Sequence, residues 1–379
     1  MKELSECRIL IVDDVPANVD VLVQALRGDY QLSVAIDGTT GLSTAEKLLP
    51  DLVLLDIVMP GINGYEVCRR LRASPRTREI PVMFLSSLED VRDKAQGFEA
   101  GGNDYLVKPF EILEVKARVK SLLRAKAYAD AVKEKIAYEL QIAREIQMGI
   151  LPQAIPEVVG GTGLEAHAIL HPAQEVGGDL YEALRLPDGN LVAIMGDVSG
   201  KGIPAALFMA VTTTLLRAMA PDSPRPEDLL RRVSDALALH NPHGMFVTIL
   251  CALYDVRTGR LDYASAGHPP AVLVRDGIAD YLPLKPGIVA GIMPGLSAPG
   301  HSVQLQSGDL VVFYTDGVTE AFDMAGNLYG ESKLLAELAA QPGLTAAAAT
   351  DAVLRSVRTH AGDCPQSDDI TVLALRKKP

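Results

Sequence analysis

Four cysteines occur in 379 residues (Cys7, Cys68, Cys251 and Cys364), and no two of them form a C-x-x-C pair. That spacing argues against a zinc site or a disulfide framework and fits reduced thiols, which makes the cytoplasm the default setting. A basic excess is also missing. The formal net charge of −12 disfavours nonspecific binding to nucleic acid or to an anionic membrane. The opening Met1–Cys7 is short and charged, unlike a signal peptide. The most apolar stretch, Pro204–Ala220, carries Thr212-Thr213-Thr214 between polar loops, so a buried core helix is expected there rather than a membrane span. Neither a repeat of solenoid length nor a long low-complexity tract is present.

What is present reads as globular, with 48 % hydrophobic and 22 % charged residues and enough length for two cores. Through residues 8–125, apolar runs (Arg8–Val12, Leu32–Ala35, Leu52–Asp56, Val82–Ser86, Asp104–Val107) alternate with helical patterns at Asn18–Leu26, Gly38–Lys47 and Tyr65–Ala73. Such alternation predicts an α/β doubly wound parallel sheet of five strands, with ligands beyond the carboxyl ends of the strands. Asp13, Asp14, Asp56, Ser86 and Lys108 all fall at those ends, hence in one cleft.

From Glu111 to Ile150 there is no proline and a single glycine, Gly149. A long helix is expected, running through a helical linker at 126–152 and ended by Leu151-Pro152. Ala129, Val132, Ile136, Ala143, Ile146 and Ile150 approximate a heptad seam that Glu139 interrupts. The seam fits a homodimer through paired linker helices or an amphipathic helix packed on its own domain. In residues 153–379 short strands (Leu191–Met195, Met245–Tyr254, Arg260–Ala264, Leu310–Phe313, Ile370–Leu375) are separated by long helices. Turn signals at Pro187–Asn190 and Arg257–Arg260 predict hairpins, and the whole an α+β antiparallel sandwich.

A carboxylate accepts a phosphoryl group only if a divalent cation offsets the charge they share. Adjacent Asp13 and Asp14 can hold such a cation, Asp56 would be nucleophile and ligand, and the Val58 carbonyl is the expected backbone ligand. Lys108 supplies a point charge for a phosphoryl oxygen, Ser86 a hydroxyl, and Lys108-Pro109 is a candidate cis peptide. The motifs V-D-D (12–14), L-L-D-I-V-M-P-G-I-N-G (54–64), F-L-S-S (84–87) and D-Y-L-V-K-P-F (104–110) closely resemble the response-regulator receiver domain over residues 1–125. The resemblance implies Mg²⁺ in the cleft and phosphorylation of Asp56 by a sensor histidine kinase. It also makes Tyr105 the aromatic switch position, expected to turn inward as Ser86 is drawn to the phosphoryl group.

A second acidic set lies in the C-terminal part: Asp179 in G-G-D, Asp197 in G-D-V-S-G-K-G, Asp316 in T-D-G and Asp368-Asp369 in S-D-D-I-T. Two divalent cations held by carboxylates from several strands can activate water and neutralise the charge of a phosphate ester, with no need of His or Cys. The motifs A-R-E-I-Q-M-G-I-L-P (143–152), E-V-G-G-D-L-Y (175–181), G-D-V-S-G-K-G-I-P-A-A-L-F-M (196–209), S-A-G-H-P-P (265–270), Y-T-D-G-V-T-E-A (314–321) and S-D-D-I-T (367–371) resemble the metal-dependent PPM-type serine/threonine phosphatases, in their bacterial SpoIIE-like branch.

That resemblance implies two Mn²⁺ or Mg²⁺ ions bridged by Asp197 with the Val198 carbonyl. Asp179 would serve one ion, and Asp316 with Asp368 the other, Asp369 being the alternative of that pair. An arginine to clamp the substrate phosphate, found in many eukaryotic relatives, is not evident. His268 reads as a turn or supporting residue, and Lys201, between two glycines, as a loop charge that could steer a phosphorylated protein.

Together the two resemblances imply a response regulator whose output is hydrolysis of phosphoserine or phosphothreonine on a protein, without a phosphoenzyme. The implied substrate is a small STAS-domain anti-anti-sigma protein. Two rivals stand beside this reading: a phosphorylation-gated binding module without turnover, and a diguanylate-cyclase-type output suggested by G-G-D. Leu180-Tyr181-Glu182 follows that G-G-D where Glu-Phe is required.

Overall fold

The computed structural model describes residues 4–87, 91–285, 287–341 and 343–378, with residues 91–94 described by backbone only. Met1–Glu3, part of the charged opening stretch, lies outside them. The chain divides into two compact units, Met1–Tyr138 and Glu139–Pro379.

In the first unit β1 (Arg8–Val12), β2 (Gln31–Ala35), β3 (Leu52–Asp56), β4 (Val82–Ser86) and β5 (Asp104–Val107) form a parallel sheet in the order β2-β1-β3-β4-β5. Side chains on a strand alternate between faces, so Leu10, Val12, Val53 and Leu55 pack on one side of the sheet and Ile9, Ile11, Leu52 and Leu54 on the other. Both faces are covered, which is why these strands read as unbroken apolar runs. On the first face lie α2 (Gly38–Leu48) and α3 (Gly64–Ala73), supplying Ala45, Val67, Cys68 and Leu71. On the second lie α1 (Pro16–Leu26) and the start of α5 (Ile112–Ile150), supplying Leu22, Leu26, Val115, Val119 and Leu123. The remaining helix is α4 (Val91–Glu99). Two starts are set by side-chain caps: Asp37 accepts from the Thr40 N–H and Asn63 from the Glu66 N–H. Helix α5 is continuous over 39 residues, and the expected stop at Leu151-Pro152 is observed.

The second unit is a sandwich of two antiparallel five-stranded sheets. One has the order β13 (His301–Gln304), β10 (Arg260–Ala266), β9 (Val247–Tyr254), β8 (Leu191–Val198), β7 (Leu180–Arg185). The other runs β12 (Ile278–Tyr281), β11 (Val272–Arg275), β14 (Leu310–Tyr314), β15 (Ile370–Lys377), β6 (Leu164–His171). In β14, Val311 and Phe313 enter the large core shared with the first sheet, while Leu310, Val312 and Tyr314 meet α10 (Glu331–Ala339) and α11 (Ala346–Ala361) on the outer face. Helices α7 (Ile203–Met219) and α8 (Pro226–Ala238) cover the first sheet; α6 (Ile155–Val158) and α9 (Asp316–Thr319) are single turns.

Helix α7 departs from its expected full burial. With the turn that follows, Ile203–Asp222 has the length to cross a membrane and contains an 18-residue window of mean hydropathy 1.5. In the fold Ala205, Met209, Thr212, Thr213 and Leu216 are buried, whereas Ile203, Leu207 and Val211 are exposed. A helix laid on the outside of a sheet needs only one apolar stripe.

Candidate active sites

In the first unit the residues expected to share a cleft do so. Lys108 Nζ lies 2.8 Å from Asp13 Oδ2 and 2.9 Å from Asp56 Oδ2. Asp13 is fully buried and also accepts from the Val15 N–H at 2.9 Å and from Asn18 Nδ2 at 3.0 and 3.1 Å. Burial raises the Asp56 carboxyl above the usual carboxylate range, opposed by the bond from Lys108 and, less strongly, by the Val58 N–H. The peptide Lys108-Pro109 is cis.

One oxygen each of Asp13, Asp14 and Asp56 can be chosen so that all lie within 4.8 Å of one another, and Asp14 Oδ1 is buried with no hydrogen-bond partner. A buried carboxylate oxygen left without a donor suits a hard cation, so the residues fit Mg²⁺. Ser86 is buried at the end of β4. Tyr105, at 8 % exposure, lies inside, in the cluster with Phe84 and Ala100. Asn18 was missed, since one amide in the first turn of a helix carries no motif.

In the second unit Asp179 precedes β7, Asp197 is the penultimate residue of β8, Asp316 opens α9 one residue after the β14–Thr315 step, and Asp368-Asp369 precede β15. Antiparallel pairing of β7 with β8, and of β14 with β15, brings these points to one end of the sandwich. Asp179 Oδ2 accepts from Thr315 Oγ1 at 2.7 Å and from Thr371 Oγ1. Burial, then the charges of Asp197 and Asp369, raise Asp179 well above the usual carboxylate range. Burial, then Asp316 and Asp368, push Asp197 up to about 7. Carboxylates gathered where each disfavours the other's charge suit divalent cations, so this donor set fits the implied pair of ions.

Asp369 is placed differently from its neighbour. Its Oδ1 accepts from the Ala173 N–H at 2.8 Å and its Oδ2 from the Gly178 N–H at 2.9 Å. Asp368 instead meets Lys201 Nζ at 2.9 Å. Two glycines are required by close approach: a β-carbon on Gly177 would stand 1.8 Å from Asp369 Oδ2, and one on Gly317 would stand 1.9 Å from the Asp369 carbonyl. His268 is buried, bonded to Thr248 Oγ1 through Nδ1 at 2.7 Å and to the Tyr314 carbonyl through Nε2 at 3.0 Å. It braces the strand that leads to Asp316. Beside Asp368 lies a cavity of about 310 Å³ whose wall includes Gly317, Phe322, Arg358, Cys364 and Ser367. Arg358 is a cation there that motif reading did not assign.

The two folds and their acidic clefts define a receiver domain followed by a phosphatase domain of the PP2C type. Residues 187–378 match the family model described as stage II sporulation protein E (SpoIIE), and residues 9–120 match that of the response regulator receiver domain. The first match spans just over half of the chain, which therefore belongs to the SpoIIE family.

Among curated proteins, the chain is 28 % identical over 364 residues to protein IcfG of Synechocystis, covering 85 % of this chain and 54 % of IcfG. It is 44 % identical over 131 residues to the response regulator PleD of Caulobacter vibrioides, covering 34 % of this chain and 29 % of PleD. The chain thus spans about half or less of the length of these relatives. The SiaA-PP2C domain of Pseudomonas aeruginosa shares the C-terminal fold, with a TM-score of 0.58 at 23 % identity over 65 % of this chain and 98 % of that one.

Proposed function

We propose that this chain hydrolyses phosphoserine or phosphothreonine on a protein, dependent on divalent cations, and that a sensor histidine kinase controls it by phosphorylating Asp56. The convergence of Asp179, Asp197, Asp316 and Asp368 from four strands at one end of the sandwich carries this reading. Asp197 with the Val198 carbonyl would lie between two Mn²⁺ or Mg²⁺ ions, Asp179 would hold one, and Asp316 with Asp368 the other. Bound there, the cations would supply Lewis acidity to activate water and to neutralise charge on the phosphoryl group. Thr315 and Thr371 orient Asp179 by occupying one of its oxygens. Asp369, which accepts from the Ala173 and Gly178 amides, holds the Gly178 loop. Lys201, paired with Asp368, would meet the phosphate of an incoming substrate.

The substrate proposed is a small phosphorylated STAS-domain anti-anti-sigma protein, on family resemblance. A homodimer along Val132, Ile136, Ala143 and Ile146 is proposed because Val132, Ile136 and Ile146 are exposed on α5. The cysteines are all free, as in a reducing compartment such as the cytoplasm. The direct test is hydrolysis of a phosphoserine peptide and of p-nitrophenyl phosphate as Mn²⁺ or Mg²⁺ is titrated in. Metal-dependent release of phosphate is expected; none above a chelator blank would leave only the gated binding module.

A further inference from the structure

Helix α5 ends against the loop that carries Asp179. Gln147, in its last turn, is 8 % exposed. Its side-chain amide pairs with both backbone polar groups of one residue: Nε2 donates to the Gly177 carbonyl at 2.6 Å, and Oε1 accepts from the Gly177 N–H at 3.2 Å. Gly177 has no side chain of its own to fix it, and the Asp369 carboxylate fills the space a β-carbon would need. The next N–H, of Gly178, is held by that same carboxylate, and the following residue is Asp179.

A second grip comes from Arg217 on α7. It donates to the Ile150 carbonyl at the end of α5 and pairs through Nε with Glu182 of β7, three residues beyond Asp179. The Glu182 side chain is 1 % exposed, so the acid end of this clasp is buried. Buried backbone groups left without partners are costly, so the loop and the helix end are committed to each other.

We propose that Gln147 is the positioning residue through which the end of α5 sets the Gly177–Asp179 loop and thereby the cation affinity of the C-terminal aspartates. The inference rests on the two-cation reading of that site. A helix advances about 1.5 Å and turns about 100° per residue, and a hydrogen bond is lost beyond about 3.5 Å. A slip of α5 by one residue would therefore release Gly177.

The test uses the full chain carrying Asp14→Asn, which disables the cation site of the receiver, so that Mn²⁺ binding by calorimetry reports the C-terminal aspartates. Adding Gln147→Leu, which keeps the bulk and loses both bonds, should weaken Mn²⁺ binding at least tenfold without loss of the folded circular dichroism spectrum. Gln147→Glu, which keeps the acceptor for the Gly177 N–H and loses the donor, should fall between the two, and it decides the question if the leucine variant does not fold. Unchanged Mn²⁺ affinity in a folded variant would overturn this inference alone. No Mn²⁺ binding by the Asp14→Asn chain itself would overturn the two-cation reading and this inference with it.

Discussion

Thr315 donates its hydroxyl to Asp179 Oδ2 at 2.7 Å, and the two residues adjoin the ends of strands, β14 and β7, in opposite sheets of the sandwich. Thr371, also in the second sheet, donates to the same oxygen. One carboxylate oxygen thus joins the sheets beside Asp197, whose charge acts on Asp179. Asp179 is held by the scaffold before any cation is considered, which is the preorganisation that a metal centre needs.

Asp197 is proposed to serve both cations, so Asp197→Asn would remove that charge while keeping the shape. Turnover of p-nitrophenyl phosphate at saturating Mn²⁺ should fall by at least about a hundredfold, the scale on which lost electrostatic stabilisation acts. The circular dichroism spectrum should stay that of the parent. A folded variant with parental rates would sink the assignment.

Asp56 should be the sole acceptor in the receiver cleft. With Mg²⁺ and acetyl phosphate, intact-mass spectrometry should show one added phosphoryl group on the parent and none on Asp56→Asn. Equal labelling of both would place the acceptor elsewhere.

Helix α5 has no internal breaker, and phosphorylation adds a charge of about −1.5 to −2 at Asp56. Beryllofluoride with Mg²⁺ is expected to raise phosphatase turnover, and a tenfold rise requires only about 1.4 kcal/mol of differential stabilisation. Two glycines inserted after Glu134 should abolish that rise while leaving basal turnover in place. Activation that survives the insertion would refute a rigid helical route, and inhibition of the parent would refute the sign.

Burial lowers His268 from 6.5 to about 4, so below pH 6.5 the unfolded chain binds a proton that the folded chain refuses. Stability is therefore lost as pH falls from 6.5 towards 4, by roughly 3 kcal/mol for this one group. His268→Gln keeps a donor and an acceptor but does not titrate. Urea melts at pH 7.5 and pH 4.5 should show a smaller drop for the variant than for the parent; an equal drop would refute neutral burial.

The receiver was legible because its inner strands β1, β3 and β4 are covered on both faces and its strands are bounded by turn residues; four of the five strands are observed with the expected bounds, and the more exposed β2 starts one residue earlier, at Gln31. The C-terminal sheets were only half visible. Strand β7 reads Leu-Tyr-Glu-Ala-Leu-Arg, and its Glu182 breaks the apolar pattern because Arg217, 35 positions away, supplies its partner. Strand β6 alternates with Glu165, His167 and His171, and β11, β12 and β13 are four residues each, too short for a period to show. Asp368 and Asp369 are adjacent and alike in sequence; only the backbone amides of Ala173 and Gly178 distinguish them. Gln147 lay inside a quoted motif, yet its meaning needs Gly177, 30 residues away in the chain.

Cys7, Cys68 and Cys251 are buried, whereas Cys364 is only partly covered and lines the cavity that Asp368 also borders. A maleimide dye offered to the native chain should therefore attach at one place, on the rim of the phosphatase cleft. Fluorescence from that dye would test in real time whether the proposed phosphoprotein substrate arrives there, with no cysteine added or removed.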